Sequence, residues 1–119
     1  MHAMTAVIAP DRRTAEDLLA PYGADLQPGD PFADRVEFDG DGLNLAARWD
    51  YRSPVADQPD NELNEFDGTD ARAWLARPEA AGLPGLLDRI GWADTPAQRA
   101  AVRDAARAGD RVWFYDLHM

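Results

Sequence analysis

Along this chain the spacing of hydrophobic positions switches between the period of a strand and that of a helix, and each switch marks the edge of a short element. Thr5-Ala6-Val7-Ile8-Ala9 is β-branched at its centre and closed by Pro10, which predicts a first strand. Thr14 predicts the cap of a short helix over Ala15–Ala20, with Glu16 and Asp17 in its first turn and Pro21 and Gly23 ending it. The run Pro28-Gly29-Asp30-Pro31 is turn chemistry, so the chain as far as Phe32 is expected to be irregular.

From Arg35 to Tyr51 apolar residues fall at every second position. Val36 and Phe38 precede Asp39-Gly40-Asp41-Gly42, and Leu43, Leu45, Ala47, Trp49 and Tyr51 follow it. This predicts a β-hairpin with one dry face, Phe38 opposite Leu43, and Glu37, Asn44, Arg48 and Asp50 on the wet face.

Beyond residue 69 the helical period takes over. Ala71, Trp74 and Leu75 share one face behind a Thr69 cap, and Leu86, Leu87 and Ile90 predict a second helix between Pro84 and Gly91. Thr95-Pro96-Ala97-Gln98 is a capping box that opens an alanine-rich third helix, whose small side chains suggest close approach to a neighbour, and Gly109 ends it. The run Val112-Trp113-Phe114-Tyr115-Asp116-Leu117 is apolar on both alternating faces except at Asp116, as in a central strand buried on two sides. Together these elements predict an α+β fold in a single domain over residues 1–119. Its antiparallel sheet would have about four strands, with three to four short helices packed on one face.

Composition narrows the chemistry by exclusion. A chain of 119 residues suits one hydrophobic core. It has no Cys, which removes disulfides, thiolate metal sites and cysteine nucleophiles, and every basic residue is Arg, which removes lysine Schiff-base chemistry. Ser53 is the sole serine, and His2 and His118 stand at opposite ends of the sequence, so a Ser-His-Asp arrangement would have to recruit a terminus. The first residues lack the basic and long apolar regions of a secretory signal, giving a cytoplasmic expectation, and no apolar run approaches the ~20 residues of a membrane span.

Charge changes the picture most. Residues 1–70 hold 16 Asp/Glu against 5 Arg, and residues 71–119 hold 6 against 7, so halves of -11 and +1 sum to the net -10. Such a field attracts a basic partner and disfavours direct nucleic-acid contact and anionic membrane surfaces. Acid is densest in a predicted loop over residues 53–68, which has five carboxylates, no base, and Pro54 and Pro59. Leu63 and Phe66 are its expected anchors.

The candidate partner-binding residues are therefore Asp57, Asp60, Glu62, Glu65, Asp67 and Asp70, together with Trp92. Gly91-Trp92-Ala93-Asp94 is expected to connect two helices, where an exposed indole would mark a partner surface. The same carboxylates could hold a hard cation if the loop folded back on itself, but a solvated acidic loop is the simpler reading and no metal or cofactor is assigned. Asp39 to Asp50 departs from a helix–loop–helix calcium loop at Leu43, Asn44 and Asp50. Arg99, Arg103 and Arg107, four residues apart, read as the wet stripe of the third helix, and Glu37 with Asp50 is a minimal acid pair on the predicted hairpin.

No stretch rises to a family motif. The leading expectation is a small acidic, non-enzymatic protein-interaction module that docks onto a basic protein, of the inhibitor, immunity, antitoxin or nucleic-acid-mimic type. The alternative is a small carboxylate-based enzyme or ligand-binding domain, with or without a divalent metal. A homo-oligomer built on the terminal strand or the alanine-rich helix is a third outcome.

Overall fold

Six strands, β1 (His2–Ala9), β2 (Tyr51–Pro54), β3 (Thr69–Asp70), β4 (Gly85–Asp88), β5 (Gly91–Trp92) and β6 (Arg111–His118), form one sheet in the computed structural model, which describes residues 1–119. The path across it is β2-β6-β1-β4-β5, and β3 also pairs with β6. The first and last strands are the antiparallel pair at its centre, in register from His2 opposite His118 to Ala9 opposite Arg111. A terminal strand buried on both sides is what the apolar run at the C-terminus predicts: Val112, Phe114, Tyr115 and Leu117 are all buried.

The sheet differs from the predicted four antiparallel strands. It has six and is mixed, because β4 pairs in parallel with β1, Thr5 opposite Gly85. Pro84 and Gly91 suit the ends of a helix, so the local signals around Leu86 and Leu87 point the wrong way. What decides the outcome is contact with β1: a Cβ on Gly85 would lie 2.2 Å from the Thr5 hydroxyl oxygen, so only glycine fits there. Leu86 and Leu87 face opposite sides of the sheet and are both buried, whereas Ile90 sits in the turn to β5 and is exposed.

Three helices, α1 (Arg12–Leu19), α2 (Ala71–Leu75) and α3 (Pro96–Ala105), cover both faces rather than the predicted one. On one side α2, α3 and a 3-10 turn at Pro78–Gly82 cover Ala6, Ile8, Leu86, Val112 and Phe114. On the other, α1 and Trp49 cover Val7, Ala9, Leu87, Tyr115 and Leu117. Asp11, not Thr14, caps α1, its carboxylate accepting the Thr14 N–H at 2.7 Å. The capping box of α3 forms as its sequence predicts, with Thr95 accepting from the Gln98 N–H and the Gln98 side chain accepting from the Thr95 N–H. The helix ends at Ala105, so Arg107 falls outside it.

The predicted hairpin of residues 35–51 is not formed. The Asp39 carboxylate accepts the N–H groups of Asp41 and Leu43, and this tight turn puts Phe38 opposite Asn44 instead of Leu43. A one-residue slip exchanges the faces of a strand. Leu43 and Leu45 are exposed accordingly, and Asn44 is buried, donating to the Pro21 and Gly23 carbonyls. The segment then wraps the turn after α1, and Trp49 donates to the Leu19 carbonyl.

Candidate functional site

The acidic segment occupies a break in the β6 edge. β2 pairs with Tyr115–His118 and ends at Pro54, which has no N–H to continue a ladder, and β3 rejoins the same edge at Arg111 and Val112. Between them the Phe114 N–H would lack a partner, and Oδ1 of Asp67 accepts it at 2.9 Å. The other Asp67 oxygen accepts from Arg12, whose guanidinium lies over the rings of Trp113 and Tyr115. A residue of the acidic segment thus closes the sheet edge by joining it to α1.

The rest of the segment is held by apolar side chains and neutral amides. Val55 is fully buried, and Leu63 and Phe66, the expected anchors, pack against the core. Gln58 donates to Asp116, and Asn61 and Asn64 donate to the Gln58 side chain and carbonyl. Asn61 also accepts the Leu63 N–H, capping a 3-10 turn over Glu62–Glu65. An acid-rich stretch that composition alone would leave disordered is thereby fixed without using its outer carboxylates.

The predicted partner-binding residues fall into three groups. Asp57, Asp60, Glu62 and Glu65 are exposed, with no ion pair or hydrogen bond to their carboxylates among the contacts of the chain. Asp67 and Asp70 are committed internally, Asp67 as described and Asp70 as the cap of α2, accepting the Ala73 N–H at 2.9 Å. Trp92 belongs to β5, at the opposite edge of the sheet from β2, and does not join two helices. It is half-buried between Tyr22 and the Arg48 guanidinium, with its indole N–H unpartnered.

The Glu37 and Asp50 pair does not form a site. Arg48 makes a bidentate pair with Asp94 at 2.8 and 2.9 Å, and these hydrogen bonds hold the Asp94 carboxyl below its ordinary range. Asp50 is bonded to Nδ1 of His118 at 2.8 Å, which lowers its carboxyl likewise. His118 in turn meets His2 edge to face, with ring centroids 4.9 Å apart and His2 on Asp116 at 3.0 Å. Sequence position places these histidines at opposite ends; only the β1–β6 register brings them together. No three of the His, Asp and Glu side chains converge as metal ligands do.

None of the five principal cavities is lined by Asp57, Asp60, Glu62 or Glu65, and Asp70 lines one of about 180 Å3 with Gly109, Asp110 and Arg111. The largest, of about 510 Å3, lies on the α2 and α3 side of the sheet and is lined by Arg77, Arg99 and Arg103 with no carboxylate. No helix is long and apolar enough to cross a membrane. A scan against protein-family models and searches of curated proteins and of solved structures each find no match.

Proposed function

We propose that this chain is a non-enzymatic interaction module and that the β2-edge segment docks onto a basic protein through Asp57, Asp60, Glu62 and Glu65. One observation supports the reading above the others: these four carboxylates project from a segment whose shape is set by Val55, Leu63, Phe66, Asp67 and the Gln58–Asn61–Asn64 amides. Their charge has no part in holding the loop. A partner that neutralises them meets a surface already ordered, so little conformational entropy is lost on docking. The competing reading, a carboxylate-based enzyme or metal-dependent ligand site, calls for acids converging on a cavity, and none of the principal cavities is lined by these four carboxylates.

The test is affinity capture from native lysate on the immobilised chain at low salt, beside the variant Asp57→Asn, Asp60→Asn, Glu62→Gln, Glu65→Gln. A basic protein held by the parent, released by a salt gradient and retained at least about tenfold less by the variant is expected, because the Debye length shrinks from ~10 Å at 0.1 M to ~3 Å at 1 M. Equal retention by parent and variant, or a complex indifferent to salt, overturns the reading.

A further inference from the structure

Arg72 of α2 donates to the Ala106 carbonyl at the end of α3, and nearer the start of α3 a cleft of about 510 Å3 lies between it and α2 with the turn that follows, a volume within the range of small-molecule sites. Its floor is apolar and buried, made by Leu75 of α2, Ala80 of the following turn and Leu86 of β4, and Ala100 forms part of the α3 wall.

The rim carries positive charge in a chain whose net charge is -10. Arg99 is fixed: its Nη2 donates to the Leu83 and Pro84 carbonyls at 2.8 and 2.9 Å, which leaves its Nη1 and Nε donors without an internal partner. Arg103, one turn along the same helix, has no acid nearer than Asp104 at 4.0 Å. Arg77 is already engaged, paired with Glu79 at 3.3 Å and stacked over Phe66. Two guanidiniums with free donors thus stand at the mouth of an apolar cleft. One is pre-positioned by the backbone, and a planar fork of this kind suits a carboxylate.

We propose that this cleft binds a small organic monocarboxylate with an apolar body, the chain lying on Leu75, Ala80 and Leu86 and the carboxylate received by Arg99 and Arg103. The site is separate from the β2 edge and does not depend on the docking reading. An aliphatic chain alone would find the floor but leave the guanidiniums unused. A small hydrophilic anion would find the guanidiniums but gain nothing from the floor. Only the combination uses both halves of the cleft.

The experiment is an amide NMR titration of the full chain with octanoate, and with 1-octanol as the uncharged counterpart. Saturable shifts confined to residues lining the cleft are expected, with octanol at least about tenfold weaker. Arg103→Gln, at an exposed side chain, should weaken octanoate about tenfold, and Ala100→Phe should abolish binding by filling the wall. No saturable shift up to about 1 mM octanoate overturns the proposal. So does equal affinity for octanol, or an Arg103→Gln variant that binds as the parent does. If Ala100→Phe fails to fold, judged by circular dichroism, the Arg103→Gln and octanol comparisons still decide.

Discussion

Between β2 and β3 a single carboxylate, Asp67, turns inward while Asp57, Asp60, Glu62 and Glu65 face water; between α2 and α3, Arg99 and Arg72 bind backbone carbonyls while Arg103 is left at the rim. In both regions some charged groups hold the chain in place, and others, the four outer carboxylates and Arg103, carry no structural duty. The regions part company over what lies beneath. Under the acidic segment Val55, Leu63 and Phe66 fill the space, whereas under the arginines the alanines of α3 leave it empty. A filled acidic edge is suited to a macromolecular surface and a hollow cationic one to a small molecule. Charge alone would not separate them; the volume of the side chains beneath does.

The sharpest way to break this comparison is to remove the inward carboxylate. Asp67→Ala strands the Arg12 guanidinium and the Phe114 N–H, and a loss of about 3 kcal/mol is expected in chemical denaturation, with faster hydrogen exchange at Phe114. Neutralising the four outward carboxylates should move stability by less than about 0.5 kcal/mol. Similar effects from the two variants would erase the distinction between inward and outward acids.

Next in size is a pH effect beside the Arg12 contact. Burial pushes the Tyr115 phenol up to about 12 from an ordinary value of 10.0, with Glu16 adding to the shift and Arg12 opposing it. The folded state therefore resists ionisation that the unfolded chain accepts. Stability is unaffected below about pH 10 and falls by roughly 2 kcal/mol as pH rises toward about 12. Denaturation across that window should show the loss in the parent, and Tyr115→Phe should reduce it.

The smallest effect is expected where a carboxylate is bonded but exposed. Hydrogen bonding to His118 lowers the Asp50 carboxyl, so its contribution is present above the ordinary carboxyl range and disappears as pH falls through the lowered value. In His118→Ala the Asp50 carboxyl should titrate at higher pH, read by carbon-detected NMR, with the fold unchanged. An unmoved titration would mean that the bond contributes nothing in solution.

Local chemistry made some of this molecule legible from residues alone. The Thr95 and Gln98 box closes within one turn and needs nothing distant, and the two-sided apolar run at Val112–Leu117 could belong only to a buried strand. The anchoring of the acidic segment by Leu63 and Phe66 was readable for the same reason, since few other apolar side chains are available there. What escaped depends on partners far along the chain. β4 resembles a helix until Gly85 is set against Thr5, and the hairpin pattern fails because Asn44 finds buried carbonyls at Pro21 and Gly23. Nothing near Asp67 announces the Phe114 N–H, and no spacing rule reveals the cleft between α3 and the end of α2.

The central pairing of the first strand with the last has a kinetic consequence. β1, β2 and β3 all pair with β6, so until residues 111–118 have been synthesised three of the strands lack their shared neighbour. Loop closure between β1 and β6 spans nearly the whole chain, and such non-local pairing slows folding. A nascent chain short of β6 has β4 as the sole partner for β1, and β2, β3 and the acidic segment between them have no edge to rest on. The central pair of the sheet thus closes only when β6 reaches β1, and with it the edge on which the acidic segment is held.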